Sequence, residues 1–364
     1  MTQMPNTKAK DNSSRDQDRY NNLIQEEVNR MPDYVRDYQI ETNHSVLTEY
    51  QYLTEFRRFF DWLRSAGISD APDNKHISTE TLSKLRSKDI SFYIDYLQHV
   101  PNKQGKNNSP ATINRSLNAL RSLFHYLTVV AEDENGDPYF DRNVMLKVQS
   151  LKSGQTLNAR ARILETKMYR GEKKHELISF IENDYINVCS PQSKPGFYRN
   201  KERDIALIAT LVGTGARRSE IANMDVKDIH MDEGLVDLLR KGGAWDTVPI
   251  VPWTLPYIKK YLDIREQRYH ATKDDKALFL TRYRGKTKRI TADSINNVVK
   301  KYSTAFGRPT TAHKLRHTLA SELFENTKDQ VLVSQQLGQS GTSATDLYTH
   351  VDQKKQRDAM NKLK

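Results

Sequence analysis

Thr311-Ala312-His313-Lys314-Leu315-Arg316-His317-Thr318-Leu319-Ala320-Ser321-Glu322-Leu323-Phe324 is the stretch from which the rest of the chain can be read. Leu315, Leu319 and Leu323 recur every four residues, and Glu322 and Glu325 fall between apolar positions, which predicts a helix starting near Thr311. On that helix His313 and Arg316 sit three apart and share a face, while Leu315 points elsewhere. Free backbone N–H groups at a helix start favour an anion, so a His and an Arg converging there can hold a phosphate. Tyr348 comes later, in Asp346-Leu347-Tyr348-Thr349-His350, beyond a break at Gly338 and Gly341. Two readings stand at this point: a phosphate site with a tyrosine nucleophile, or a basic helix and one ordinary tyrosine among 18.

The surroundings weigh on that choice. A chain of 364 residues is long enough for two domains, each with its own core. Its net charge of +11 favours a polyanionic partner, most simply nucleic acid. The single cysteine, Cys189, leaves no disulfide framework and no cysteine zinc site, and fits a reducing cytosol. No apolar run approaches the ~18 residues of a membrane span, so the expectation is a cytoplasmic protein without a membrane partner.

In chain order, residues 1–19 read as a disordered polar tail. Residues 20–135 read as a helical domain without strands. Val46 to Ser65 carries an apolar stripe of Leu53, Phe56, Phe60 and Leu63, stopped at Ala66-Gly67. A shorter helix spans about Lys88 to His99, and 101–109 is a loop. Ser109-Pro110 then caps a helix whose core face is Ile113, Leu117, Leu120, Phe124 and Leu127. Lys106, Arg115 and Arg121 are left for solvent or DNA. Residues 136–174 carry scattered cations, Arg160 and Arg162 among them, with weak periodicity. That is either a solvated face or a basic linker lying along phosphate backbone.

A second domain is expected over 175–351, mostly helical with a small sheet. An apolar helix over Asp204 to Leu211 runs into Gly213-Thr214-Gly215-Ala216-Arg217-Arg218-Ser219-Glu220-Ile221, where Thr214 or Ser219 can cap the next helix and Arg217 sits at its start. Leu235 to Val251 alternates around Lys241-Gly242-Gly243, a β-hairpin with a lysine at its tip. Further helices are expected over Tyr257 to Tyr269 and Ile295 to Tyr302, with a short strand at Ala277 to Leu280. Asp225, Asp228, Asp232 and Glu233 read as exposed acids flanking a strand, not as metal ligands. No Walker loop supports ATP use. The fold class is mainly α with a small antiparallel sheet in the C-terminal domain.

Paired arginines suit a phosphodiester, because each guanidinium grips phosphate oxygens bidentately and stays charged. Tyr348 can attack phosphorus to give a covalent phosphotyrosine, provided local positive charge or a base lowers a phenol pKa of about 10. Lys241 can protonate the leaving 5′ oxygen, and His313 can orient phosphate or shuttle the tyrosine proton. Each piece alone is a weak signal.

Their order is specific. Thr214 to Ile221 resembles the first-arginine box of the tyrosine recombinases (the Xer and phage-integrase family), and Lys241-Gly242-Gly243 to Val248-Pro249 resembles that family's hairpin lysine motif. His313-Lys314-Leu315-Arg316-His317-Thr318 is similar to its His-x-x-Arg box, and Leu337-Gly338-Gln339-Ser340 with Tyr348-Thr349-His350 is similar to its closing box. Pro138-Tyr139-Phe140, Asn143-Val144-Met145, Arg240-Lys241-Gly242-Gly243 and Gln330 to Ser334 further resemble the single-protein Xer recombinases of streptococci and lactobacilli. The resemblance implies a two-domain DNA clamp, a core-binding domain followed by a catalytic domain. It implies strand exchange without metal, ATP or other cofactor, by a homotetramer on two double-stranded sites, through a Holliday junction. It assigns Arg217 and Arg316 to the scissile phosphate, Lys241 to acid catalysis, His313 to assistance and Tyr348 to nucleophilic attack. Gln339 stands where the family has His or Trp, and can donate a hydrogen bond without carrying charge. The resemblance also implies chromosome dimer resolution at a dif-like terminus site with a DNA translocase of the FtsK type, and a tail, 352–364, that docks on a neighbouring protomer. The alternatives are a mobile-element integrase, a type IB topoisomerase that shares the chemistry, and a DNA-binding relative that has lost catalysis.

Overall fold

The structure, a computed structural model, describes residues 13–101, 105–152, 154, 156–339 and 361. It divides into two compact units, Met1–Gly154 and Gln155–Lys364. Tyr348, Ser340 and the tail over 352–364, Asn361 excepted, lie outside the described residues.

Among its described residues the first unit has helices and no strand, the main ones being α1 Ser13–Val28, α2 Asp33–Glu41, α3 Val46–Ser65, α4 Thr79–Ser83, α5 Ser87–His99 and α6 Pro110–His125. Helix α1 begins at Ser13, inside the stretch expected as a disordered tail. A helix anchored by buried Ile24 and Val28 can extend through polar residues, which need only tolerable propensity. Ser45 caps α3, accepting from the Thr48 amide, and Gly67 ends it at φ +67°. The buried face of α3 is wider than the four-residue stripe, since Phe59 and Trp62 are buried with it. Ser109 caps α6 as its sequence suggests, and all five expected core residues from Ile113 to Leu127 are buried.

The segment 136–174, expected as a linker, is divided between the units. Val144 and Met145 enter the first core, and α6 pins the stretch just after them: Asn114 exchanges two 2.8 Å hydrogen bonds with the backbone of Leu151. Arg121, a DNA candidate, donates to the Val148 carbonyl at 3.0 Å. Beyond Gly154, α7 Leu157–Glu165 buries Ala161 and Leu164 against Met168 in the second unit.

In that second unit α10 Lys194–Thr214 is the axis, wholly buried from Arg203 onward and longer than the apolar run alone indicates. Around it lie α8 Lys173–Ser179, α9 Tyr185–Val188, α11 Arg218–Asn223, α12 Leu255–Tyr269, α13 Ala292–Ala305, α14 Ala312–Thr327 and α15 Gln330–Leu337. Strands β1 Ile229–His230, β2 Leu235–Leu239 and β3 Trp245–Pro249 form an antiparallel sheet, with Lys241 in the β2–β3 turn as expected. The expected strand at Ala277 is an isolated bridge to Asp225. The real strand, β4 Leu280–Tyr283, pairs with β5 Lys286–Arg289, a hairpin whose charged sequence concealed it.

Asp225 and Asp228, expected as exposed, are 6% and 4% exposed. Asp225 pairs with Arg289 at 2.5 Å, and the Asp228 carboxylate accepts from the Asp225 amide at 2.8 Å. A strap over 165–174 runs along α14. The Tyr169 amide donates to the Thr318 hydroxyl at 3.0 Å, the Gly171 amide to Glu322 at 2.7 Å, and Lys174 pairs with Glu322 at 2.6 Å. Thr310 donates to the Lys167 carbonyl at 2.8 Å.

Because Met145 is 2% exposed while Lys147 lies on the surface, Met145→Ala should lower unfolding stability by about 2–4 kcal/mol. Lys147→Ala should stay within about 0.5 kcal/mol. Urea titration followed by circular dichroism checks both, and a free linker would leave the two variants alike.

Candidate active site

Three arginines from three elements meet on one carboxylate. Arg217 precedes α11, and its amide donates to Glu220 Oε2 at 2.7 Å while its guanidinium pairs with Oε1 at 2.7 Å. Glu220 therefore closes the start of its own helix, a task the sequence had offered to Thr214 or Ser219. Thr214 instead donates to the Thr210 carbonyl and accepts from the Ala216 amide, shaping the turn at Gly215. Arg240, the residue before Lys241, reaches Glu220 Oε2 at 3.1 Å, and Arg316 Nη1 lies 4.0 Å from the same oxygen. Arg316 is 2% exposed and is held by the carbonyls of Gly215 at 2.8 Å and Leu337 at 2.6 Å.

Glu220 is 2% exposed. A carboxylate buried that deeply needs cationic partners, and three guanidiniums leave the cluster with positive charge to spare even after Asp246 pairs with Arg240. The open part is Arg217, a third of whose side chain faces solvent. Such an arrangement can attract a singly charged anion.

Thr311 caps α14, and His313 lies one turn ahead of Arg316 at its opening. Partial loss of hydration, then the Arg316, Lys314 and Arg217 cations, push the His313 pKa below its ordinary value, so the ring is neutral at neutral pH. His317 packs edge-to-face on it with ring centroids 4.6 Å apart, and burial first, then His313, push its pKa down to about 3. Burial, followed by Lys167 and Arg160, also lowers the Lys314 pKa, which gathers Arg160 into a basic cluster at the same helix end.

Gln339 comes directly after Gly338, whose carbonyl accepts from Arg217 at 3.4 Å. Its Oε1 is buried with no hydrogen-bond partner among the described residues. Lys241 is exposed at the hairpin tip, one residue from the cluster. The structure thus brings Arg217, Arg316, His313 and Gln339 together and sets Lys241 beside them. Of the DNA candidates, Lys106, Arg115, Arg160 and Arg162 are exposed, whereas Arg121 is occupied by Asn118 and Val148.

Three features escaped the sequence reading. The Arg217-x-x-Glu220 spacing could have exposed Glu220 as a helix-start acceptor. The role of Arg240 had little local signal, because two of its three side-chain partners lie 20 and 96 residues away and only Asp246 is near in sequence. The β4–β5 hairpin carries Arg282, Arg284, Lys286 and Lys288 around the exposed ring of Tyr283, a basic, aromatic tip.

The sequence matches the model of the Phage integrase family over residues 186–355. It is 45% identical over 349 residues to the tyrosine recombinase XerS of Streptococcus thermophilus (strain CNRZ 1066), spanning 93% of this chain and 98% of that one. XerS of Streptococcus uberis is likewise 45% identical over 342 residues, spanning 92% and 96%. The fold is similar to that of the XerH site-specific recombinase bound to palindromic difH substrate in a post-cleavage complex. There the TM-score is 0.60 at 21% identity, over 87% of this chain and 79% of that one.

The depressed His317 pKa has a stability consequence. The unfolded chain binds a proton near pH 6.5 that the folded ring resists until about pH 3, so stability is full above pH 6.5 and falls as pH drops through that window. Between pH 7 and pH 5 wild type should lose about 1–2 kcal/mol more than His317→Asn. Urea midpoints at the two pH values check this, and parallel losses would refute it.

Proposed function

We propose, since this chain belongs to the tyrosine recombinase family that includes the XerS proteins, that it cuts and rejoins DNA at a specific site through a 3′-phosphotyrosine. The observation that carries the reading is the buried Glu220 with Arg217 and Arg316 drawn onto it, a preformed cationic seat for one phosphodiester. In phosphoryl transfer the protein's task is positioning and neutralising the nonbridging oxygens, which is what two fixed guanidiniums supply.

In the proposed reaction the Tyr348 oxygen forms a bond to phosphorus and the bond from phosphorus to the 5′ oxygen breaks. Lys241, on its turn, gives the proton to that leaving oxygen. His313, neutral by virtue of its surroundings, accepts the tyrosine proton, and the cations nearby favour the phenolate. Gln339 donates an amide hydrogen bond to a nonbridging oxygen in place of a charged group. Attack by the 5′ hydroxyl of a second duplex reverses the chemistry and exchanges strands, passing through a Holliday junction.

DNA is the partner that a net charge of +11 and the basic β4–β5 tip favour, with Arg115, Lys106, Arg160 and Arg162 as further phosphate contacts. Strand exchange between two sites calls for four protomers, joined through the tail over 352–364 in a closed ring. The XerS relatives support a dif-like site as the target; cytoplasmic action and a DNA translocase of the FtsK type complete the proposed setting. Among the described residues no helix is long and apolar enough to cross a membrane.

On a nicked suicide duplex carrying the site, wild type should form a covalent protein–DNA adduct that Tyr348→Phe abolishes, with the link mapped to Tyr348. An adduct persisting in that variant would overturn the assignment, and no adduct from wild type would favour a binding-only relative. Truncation after Val351 should preserve binding to one half-site but weaken cooperative filling of the second in a gel-shift titration. Unchanged cooperativity would remove the tail from assembly.

A further inference from the structure

We infer that Arg240 is a positioning residue that locks the root of the Lys241 hairpin to the phosphate seat and to the turn leading into Gln339; the inference rests on the reading of Lys241 as the leaving-group acid. A lysine in a Gly-Gly turn has little to hold it. Gly242 and Gly243 have φ of +98° and +89°, and Lys241 is exposed. Backbone bonds fix only the base of the turn, from the Arg240 amide to Ala244 O at 2.8 Å and from the Gly243 amide to Arg240 O at 3.1 Å.

The Arg240 side chain does the rest. It is 8% exposed, on a hairpin whose tip is otherwise open. Its Nε donates to Asp246 Oδ2 at 2.9 Å, across the hairpin. Its Nη1 donates to Glu220 at 3.1 Å, joining the carboxylate that organises Arg217 and Arg316. Its Nη2 donates to the Gln336 carbonyl at 3.0 Å, in the last turn of α15. The guanidinium also lies close against Gly338, where a Cβ would stand 2.5 Å from Nε and 2.7 Å from Cζ. Gly338 has φ +58°, so glycine there satisfies both the helix stop and the close approach of Arg240.

One planar fork thus ties three parts that come from distant stretches of chain. A lysine at position 240 would keep the charge but could not span two carboxylates and a carbonyl at once. When the fork is lost, Lys241 should wander from the leaving oxygen, and a misplacement of about 1 Å costs on the order of 100-fold in rate.

The test uses the full chain and two suicide substrates, one normal and one with sulfur replacing the bridging 5′ oxygen at the cleavage site. A thiolate leaves without being protonated, so the sulfur substrate removes the need for an acid. Cleavage of the normal substrate should fall about 10- to 100-fold in Arg240→Gln and in Arg240→Lys, and the sulfur substrate should restore both to within about threefold of wild type. Lys241→Ala is the control for the underlying reading: without sulfur rescue there, it is the assignment of Lys241 that fails. Rescue of Lys241→Ala but not of the Arg240 variants would overturn the inference. So would wild-type cleavage by Arg240→Gln, or loss of folding in both Arg240 variants, which would make Arg240 a fold residue only.

Discussion

The second unit depends on a carboxylate that water cannot reach. Glu220 closes the first turn of α11 and is simultaneously the counter-charge of Arg217, Arg240 and Arg316. A buried charge left alone would be prohibitive, and so would three buried or half-buried guanidiniums without an acid among them. Each makes the others tolerable. The consequence for the proposed chemistry is that the arginines assigned to the phosphate are already fixed by the protein alone, which is the form of preorganisation that electrostatic catalysis requires.

The elements that bring these groups together are ordinary ones with well-defined ends. Helix α10 stops at Gly215 in the left-handed conformation, and its reversal presents the Gly215 carbonyl to Arg316. Helix α15 stops at Gly338 in the same way and presents the Leu337 carbonyl to the same guanidinium. Two helix ends, each with unsatisfied carbonyls, are thereby closed by one buried arginine. The site is assembled where helices finish, so its precision derives from the packed bodies behind it.

Much of this was legible. The stripe on α3, the Ser109 cap, the hairpin with Lys241 at its tip and the convergence of His313 with Arg316 all derive from period, capping and turn chemistry, which act over a few residues. What escaped was of another kind. Arg240 looks like any basic turn residue until Gln336 and Glu220 are folded beside it. Val144, Met145, Leu164 and Met168 are buried on irregular or short segments, where no period marks them, so a stretch that reads as a basic linker is core on both sides of Gly154. The β4–β5 hairpin was hidden because its half-buried positions are mostly Thr, Arg and Lys, which leaves no apolar alternation to display. Tyr348, decisive in the sequence by the boxes around it, lies outside the described residues.

The strap over 165–174 gives helix α14 a second identity. Its stitches to Thr318 and Glu322, with that of Thr310 just ahead of α14, occupy one side of the helix from end to end, while Arg316 faces the other. Opening the strap gives up the burial of Tyr169 and three hydrogen bonds, and opening the helix gives up two of the same bonds, so each piece resists opening with the other in place. They form a single cooperative block, and amide exchange across both should share one opening free energy. A helix carrying His313 and Arg316 is thereby coupled along one side to a second piece of chain, which opposes its local breathing.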